Sequence, residues 1–109
     1  MNIISYHCGK MVMIDSEKLT FASSILKTIA HPLRLGIVDL LIQNEQLSVN
    51  EICDLLEAEQ SLVSHHLTSM REKDVLSCSR QGKSMFYSLA LKELEKVVEC
   101  METCKISQA

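Results

Sequence analysis

With 109 residues, 47% of them apolar but only two Tyr, two Phe and no Trp, the chain is sized for one domain with a core of Leu, Ile, Val and Met, and is too apolar to be disordered. No apolar run approaches the roughly 20 residues that a membrane span needs. The net charge of −3 excludes a uniformly basic nucleic-acid binder, so any phosphate-facing surface must be local.

Residues 1–14 show no hydrophobic period and read as an arm free to move, with no charged-then-apolar leader pattern. The folded domain is expected over 15–106, with a short tail at 107–109. Asp15 and Ser16 are N-cap candidates for a first helix over about 15–29, with Leu19, Ala22, Ile25, Leu26 and Ile29 on one face. Pro32 fits the first turn of a second helix, where its missing N–H costs nothing. That helix runs to about Gln43 with Leu33, Ile37, Val38, Leu40 and Leu41 inward. Asn44 to Leu47 reads as a polar connection.

Ser48 followed by Glu51 is a capping-box pattern, opening a short third helix with the stripe Val49, Ile52, Cys53, Leu55 and Leu56. After a break at 57–59, a fourth helix spans about 60–73. Leu62, Val63, His66, Leu67 and Met70 share its inner side, and Ser61, Ser64, His65 and Thr68 its outer side. Two amphipathic helices joined by so short a turn form a helix-turn-helix. Two extended runs within 75–89 flank Gln81-Gly82-Lys83 and read as a β-hairpin. A last helix over about 91–106 carries Leu91, Leu94, Val97, Val98, Met101 and Cys104 on one side.

Charge follows this layout. Residues 1–59 hold four Lys/Arg against eight Asp/Glu, whereas 60–89 hold Arg71, Lys73, Arg80 and Lys83 against Glu72 and Asp74. The fourth helix with its hairpin, residues 60–89, is the only net positive stretch. Small hydroxyls and an imidazole suit base edges in the major groove, and the basic hairpin tip suits phosphates or the adjacent minor groove. His65 and His66 project about 100° apart on a helix, so they do not readily share one metal ion. His66 therefore reads as a packing residue and His65 as a DNA contact.

Three segments together resemble the ArsR/SmtB regulators. His31-Pro-Leu-Arg34 resembles the start of their second helix, Gln60-Ser-Leu-Val-Ser-His-His-Leu67 their recognition helix, and Arg80-Gln-Gly-Lys-Ser-Met-Phe-Tyr87 their wing. The resemblance covers about residues 19–106. It implies a mainly α fold with a β-hairpin wing, the winged helix-turn-helix order α-α-α-α-β-β-α, and a homodimer through the first and last helices. It also implies repression relieved by an inducer. By that likeness Gln60, Ser61, Ser64, His65, Arg80 and Lys83 contact DNA; Thr68 joins them as a member of the same outer face. The operator partner is then double-stranded DNA with an inverted repeat. Where the family often has Gly in the turn, this chain has Leu56-Glu57-Ala58, so a residue with a side chain must take that position.

The five cysteines are Cys8, Cys53, Cys78, Cys100 and Cys104. Their odd number and spacing form no disulfide framework, which points to reduced thiols in the cytoplasm. The family's Cys-x-Cys metal site aligns with Ser48 and Asn50, and its Asp/His zinc site with Leu91, Glu93, Cys104 and Ser107; neither set is intact. Cys53 aligns with a third Cys of some arsenic sensors of the family, and also sits on a core stripe. Cys100 and Cys104, at i and i+4, bring two sulfurs within reach of one thiophilic ion. As(III) or Sb(III) prefers three thiolates, with Cys8 or Cys53 as the third; packing at a dimer seam is the plainer role for the same residues. Cys78 alternates within a strand and reads as structural.

Three functions follow in order. The first is a DNA-binding repressor released by a metalloid or metal ion bound at cysteines. The second is the same repressor sensing oxidants or reactive sulfur species through its thiols. The third is a winged-helix module that binds protein, against which the basic hairpin beside Ser61, Ser64 and Thr68 argues. No nucleophile–base–orienter set and no phosphate-binding Gly loop is found, so an enzyme is not expected.

Overall fold

The computed structural model describes residues 13–104 and, before them, the backbone of two short antiparallel strands, β1 (Tyr6–His7) and β2 (Lys10–Met11), which pair Tyr6 with Met11 and His7 with Lys10. The expectations for Cys8, for Ser107 and for the 107–109 tail lie outside the described residues. Helix α1 (Ser16–Ile29) starts at Asp15, whose carboxylate accepts the Lys18 N–H at 2.9 Å. Helix α2 (Pro32–Gln43) has Pro32 in its first turn and His31 as its N-cap, with the ring Nδ1 accepting the Leu33 N–H at 3.1 Å. An imidazole thus does the work usually given to Ser or Asp at that position.

Strand β3 (Leu47–Ser48) leads directly into helix α3 (Val49–Leu56), whose capping box is complete: Ser48 Oγ accepts the Glu51 N–H, and Glu51 Oε1 accepts the Ser48 N–H at 2.8 Å. Helix α4 (Gln60–Glu72) follows, then strands β4 (Leu76–Gln81) and β5 (Ser84–Leu89), and helix α5 (Leu94–Thr103). The hairpin pairs β4 with β5 from Leu76↔Leu89 to Gln81↔Ser84, closing on Gly82 at φ +66° and Lys83. Positive φ at the first loop residue alone is the arrangement that only Gly adopts without strain.

Both helices of the helix-turn-helix end alike. After α3, Glu57 is left-handed (φ 51°, ψ 49°) and the Ala58 N–H reaches the Cys53 carbonyl at 3.0 Å. After α4, Asp74 is left-handed (φ 61°), with Asp74 N–H to Arg71 O at 2.9 Å and Val75 N–H to Met70 O at 3.0 Å. These are Schellman closures in which a carboxylate residue takes the place usual for Gly. Gly36 on α2 faces α3: a Cβ there would sit 3.1 Å from a Leu56 methyl, so the glycine lets the two helices approach.

One core is shared by α2, α3, α4 and the sheet. Ile37, Val38, Ile52, Val63, Leu67, Met70 and Val75 are fully buried, with Leu76, Tyr87 and Leu89 beside them. Each such aliphatic side chain contributes about 1.5–3 kcal/mol relative to an exposed one. The first helix presents Ile25 and Ile29 to this core but leaves Ala22 and Leu26 outside, Leu26 at 54% exposure.

The structure departs from the pattern-based expectations in four places. The Asn44–Leu47 connection ends in β3, which pairs Leu47 with Tyr87 and Ser48 with Phe86, so the sheet has three strands in the order β3-β5-β4. Leu55 and Leu62 are exposed, because α3 and α4 are covered on one side only and both residues fall at the edge of that side. Helix α5 begins at Leu94 after a turn at 92–93 and ends at Thr103. Cys104 therefore lies past the helix, in extended conformation, its N–H still bonded to the Cys100 carbonyl at 3.0 Å.

Candidate nucleic-acid interface

Helix α4 carries a polar face on the side opposite Val63, Leu67 and Met70. Gln60, Ser61, His65 and Thr68 are exposed, and Ser64 is half-buried at the flank. The Ser61 hydroxyl bonds the Glu59 carboxylate just before the helix. Thr68 lies against the phenol of Tyr87, whose pKa is pushed up mainly by burial, with Arg71 and Thr68 opposing. Arg71, one turn beyond Thr68 on α4, reaches across to β4, its Nη1 3.4 Å from Cys78 Sγ. Helix α4 is thereby joined to the hairpin.

Arg80 and Lys83 are exposed at the hairpin tip. Gln81 beside them donates from Nε2 to Gln46 Oε1 at 3.0 Å, tying the tip to the segment that precedes β3. The seven residues expected to contact DNA thus fall into two groups, five on α4 and two on the wing tip. Arg71 and Gln46 join this surface without having been expected there. No local pattern announces either, since Arg71 depends on β4 returning beside α4, and Gln46 on β3 joining the sheet on the other side of β5.

His66 is buried and points away from this surface. Its Nδ1 accepts from Arg34 Nε at 2.8 Å, and Arg34 Nη1 donates to the Thr28 carbonyl at 2.8 Å. His31 stacks on it with ring centroids 4.6 Å apart, and His65 lies 5.6 Å away. With Nδ1 accepting, the ring proton sits on Nε2, which is buried without a partner. Burial first, then the charge of Arg34 and the neighbouring His31 and His65, holds the His66 pKa below its usual 6.5. Among the described residues no set of three His, Cys, Asp or Glu side chains is placed to hold a metal ion, and a guanidinium at hydrogen-bond distance opposes a cation here.

The cysteines separate. Cys53 is half-buried against the core, and burial, with Asp54 adding to it, pushes its thiol up. Cys78 is half-buried in β4; Cys100 and Cys104 are exposed, one in α5 and one just past it. Helix α5 packs on α2 through Leu94 and Val98, leaving Val97 and Met101 outside. Among the described residues no helix is long and apolar enough to cross a membrane.

Comparison with known proteins agrees with this arrangement. Residues 31–77, from the His31 cap to β4, match the family described as bacterial regulatory protein, arsR family. The transcriptional repressor PagR of Bacillus anthracis is 40% identical over 88 residues, which span 81% of this chain and 88% of that protein. Its crystal structure superposes with a TM-score of 0.71, at 39% identity, covering 78% of this chain and 97% of that one. The transcriptional activator HlyU of Vibrio cholerae is 33% identical over 86 residues, 77% of this chain and 79% of that protein. The structure of reduced HlyU superposes with a TM-score of 0.73 at 30% identity, covering 82% and 95% of the two chains. The arsenical resistance operon repressor of Escherichia coli is 38% identical over 66 residues, 61% of this chain and 56% of that protein. With a helix-turn-helix, a basic hairpin and relatives matched over most of their own length, this chain belongs to the ArsR family of winged-helix, DNA-binding transcriptional regulators, and is not an enzyme.

Proposed function

We propose that this chain is a cytoplasmic repressor that binds an inverted-repeat operator as a homodimer and is released when a thiophilic metalloid or metal ion binds its C-terminal cysteines. One observation carries the reading: the exposed polar face of α4 is joined by the Arg71–Cys78 contact to the hairpin that ends in Arg80 and Lys83, while Cys100 stands exposed on α5 and Cys104 just past it, beside the exposed Val97 and Met101. Exposed Leu26 on α1 and Val97 and Met101 on α5 supply apolar area for a second copy. Two recognition helices must sit about 34–36 Å apart to enter successive major grooves, so a small tilt at the seam spoils the fit.

Cys100 and Cys104 are free thiols joined through the Cys104 N–H to Cys100 carbonyl bond, so an ion held by both sulfurs fixes the frayed end of α5. Cys53 is a weaker ligand, because burial keeps it as the thiol. A third thiolate comes from Cys8 or from the second copy. Likeness to the E. coli arsenical resistance operon repressor supports this inducer class. The structure of reduced HlyU supports a second trigger, oxidants or reactive sulfur species acting on the same thiols.

The test is operator affinity of the reduced protein with As(III), Sb(III), Zn(II), Cd(II), peroxide and polysulfide in turn, against Cys100→Ser/Cys104→Ser. The double variant is expected to bind the operator as the wild type does and to ignore the inducer. A release constant unchanged by the double substitution removes these thiols from the sensor. A coupling of about 1–3 kcal/mol, hence a few-fold to hundredfold loss of affinity, suffices for regulation.

A further inference from the structure

A second cationic feature lies away from the wing. Between α1 and α4 is a cleft of about 290 Å³ lined by Ser24, Lys27, Thr28, Arg34, Ser69 and Lys73. Among the described residues no carboxylate lines it, although the chain as a whole is acidic. Its floor is Arg34, half-buried, whose two bonds both end on neutral acceptors: the His66 ring nitrogen and the Thr28 carbonyl. Those bonds fix the guanidinium without offsetting its charge. A partly desolvated cation without a counter-charge is costly, and two lysines in the same cleft add to the cost until an anion enters.

We propose that this cleft is a phosphoryl-binding site. Its donors come from three helices and suit a tetrahedral, multiply charged oxyanion. Among the described residues the second terminal nitrogen of the Arg34 fork makes no hydrogen bond, and Lys27 and Lys73 add flexible ammonium groups. The Thr28 hydroxyl is committed to the Ser24 carbonyl at 2.9 Å, so Ser24 and Ser69 provide the neutral hydroxyls. Ser24, Lys27 and Thr28 occupy a different flank of α1 from Leu19, Ala22 and Leu26 at 100° per residue, so a second copy seated on the apolar flank leaves the cleft open.

The phosphoryl group has two sources, a DNA backbone phosphate or a free phosphate or phosphate ester. The first rests on the proposed DNA-binding mode: Ser69 and Lys73 follow His65 at i+4 and i+8 along α4, where a helix whose N-terminal half reads bases returns to the backbone.

The experiment uses Lys27→Gln/Lys73→Gln and a control pair of equal charge change, Lys18→Gln/Lys92→Gln, on the full chain. Amide NMR of the free wild type titrated with inorganic phosphate is expected to show saturable shifts at Ser24, Lys27, Thr28, Ser69 and Lys73. The cleft pair weakens that binding about tenfold or more, and the control pair does not. For DNA, the cleft pair is expected to flatten the plot of log affinity against log salt by about one unit more than the control pair, on operator and random DNA alike. Extra flattening assigns the source to the DNA backbone; phosphate saturation without it assigns a free phosphoryl ligand. Absence of saturable shifts together with equal salt slopes for the two pairs overturns the proposal. A wild type with no operator preference defeats the repressor reading instead, and leaves the phosphate arm standing.

Discussion

Arg34 Nε donates to His66 Nδ1 at 2.8 Å, bonding the first turn of α2 to the middle of α4. Because Arg34 Nη1 also holds the Thr28 carbonyl, a single side chain sets α4 against both α1 and α2. Truncation at Arg34→Ala orphans the buried ring nitrogen and is expected to cost about 1–3 kcal/mol in chemical denaturation. Arg34→Lys, which keeps the charge but not the fork, is expected to recover only part of that.

The same contact gives a pH dependence. His66 has a folded pKa below its unfolded value of 6.5, through burial and the facing groups Arg34, His31 and His65. The unfolded chain therefore takes up its proton first as pH falls. The contribution to stability is full above about 6.5 and is lost as pH drops through the folded value. Thermal unfolding between pH 7.5 and 5 is expected to show Tm falling on acidification, and His66→Gln is expected to lose much of that slope. A wild-type Tm that rises over this interval contradicts the assignment.

Glu57 and Asp74 occupy the left-handed region at the ends of the two helix-turn-helix elements. A side chain there costs about 1–2 kcal/mol, less for Asp than for Glu, while Gly gives back about 0.5–1 kcal/mol through unfolded-chain entropy. Glu57→Gly is expected to stabilise by about 0.5 kcal/mol, and Asp74→Gly by less. A Glu57→Gly variant less stable than the wild type by the full entropic cost of glycine, about 0.5–1 kcal/mol, rules out strain at this turn.

On the reading surface, His65→Ala and Ser64→Ala are expected to weaken operator binding by about 1–3 kcal/mol each while sparing random DNA. Lys83→Ala is expected to weaken both equally and to flatten the salt slope by about one unit. Uniform loss across all three variants in mobility-shift titrations shows that α4 is not the reading helix.

Assembly is tested on the exposed part of the apolar face of α5. Leu94 belongs to the chain's own core, whereas Val97 and Met101 do not, so a charge at Leu94 unfolds the domain rather than separating two copies. Val97→Asp/Met101→Asp is expected to leave the circular dichroism spectrum intact and to give a monomer in sedimentation, with operator affinity largely lost. A folded variant that still sediments as a dimer moves the interface elsewhere.

Much of this molecule was legible in the sequence because its local signals agree. Asp15 and the Ser48/Glu51 pair mark helix starts through hydrogen bonds that reach only three residues, and Pro32 and Gly82 mark a helix start and the hairpin by backbone preferences of their own. The outer face of α4 was equally legible, since a 100° step places Ser61, His65 and Thr68 opposite Val63, Leu67 and Met70 whatever they pack against. Tertiary structure decided what depends on distant partners. Leu47 becomes a strand only because β5 offers an open edge. Leu26 and Leu62 look like core residues by period and are left outside because none of the described residues covers their flank. Arg34 carries no signal of its role, since His66, its partner, is 32 residues away. Local spacing fixes which residues share a face; which faces meet, and which charges are left facing a cleft without a counter-charge, is fixed only when the helices pack.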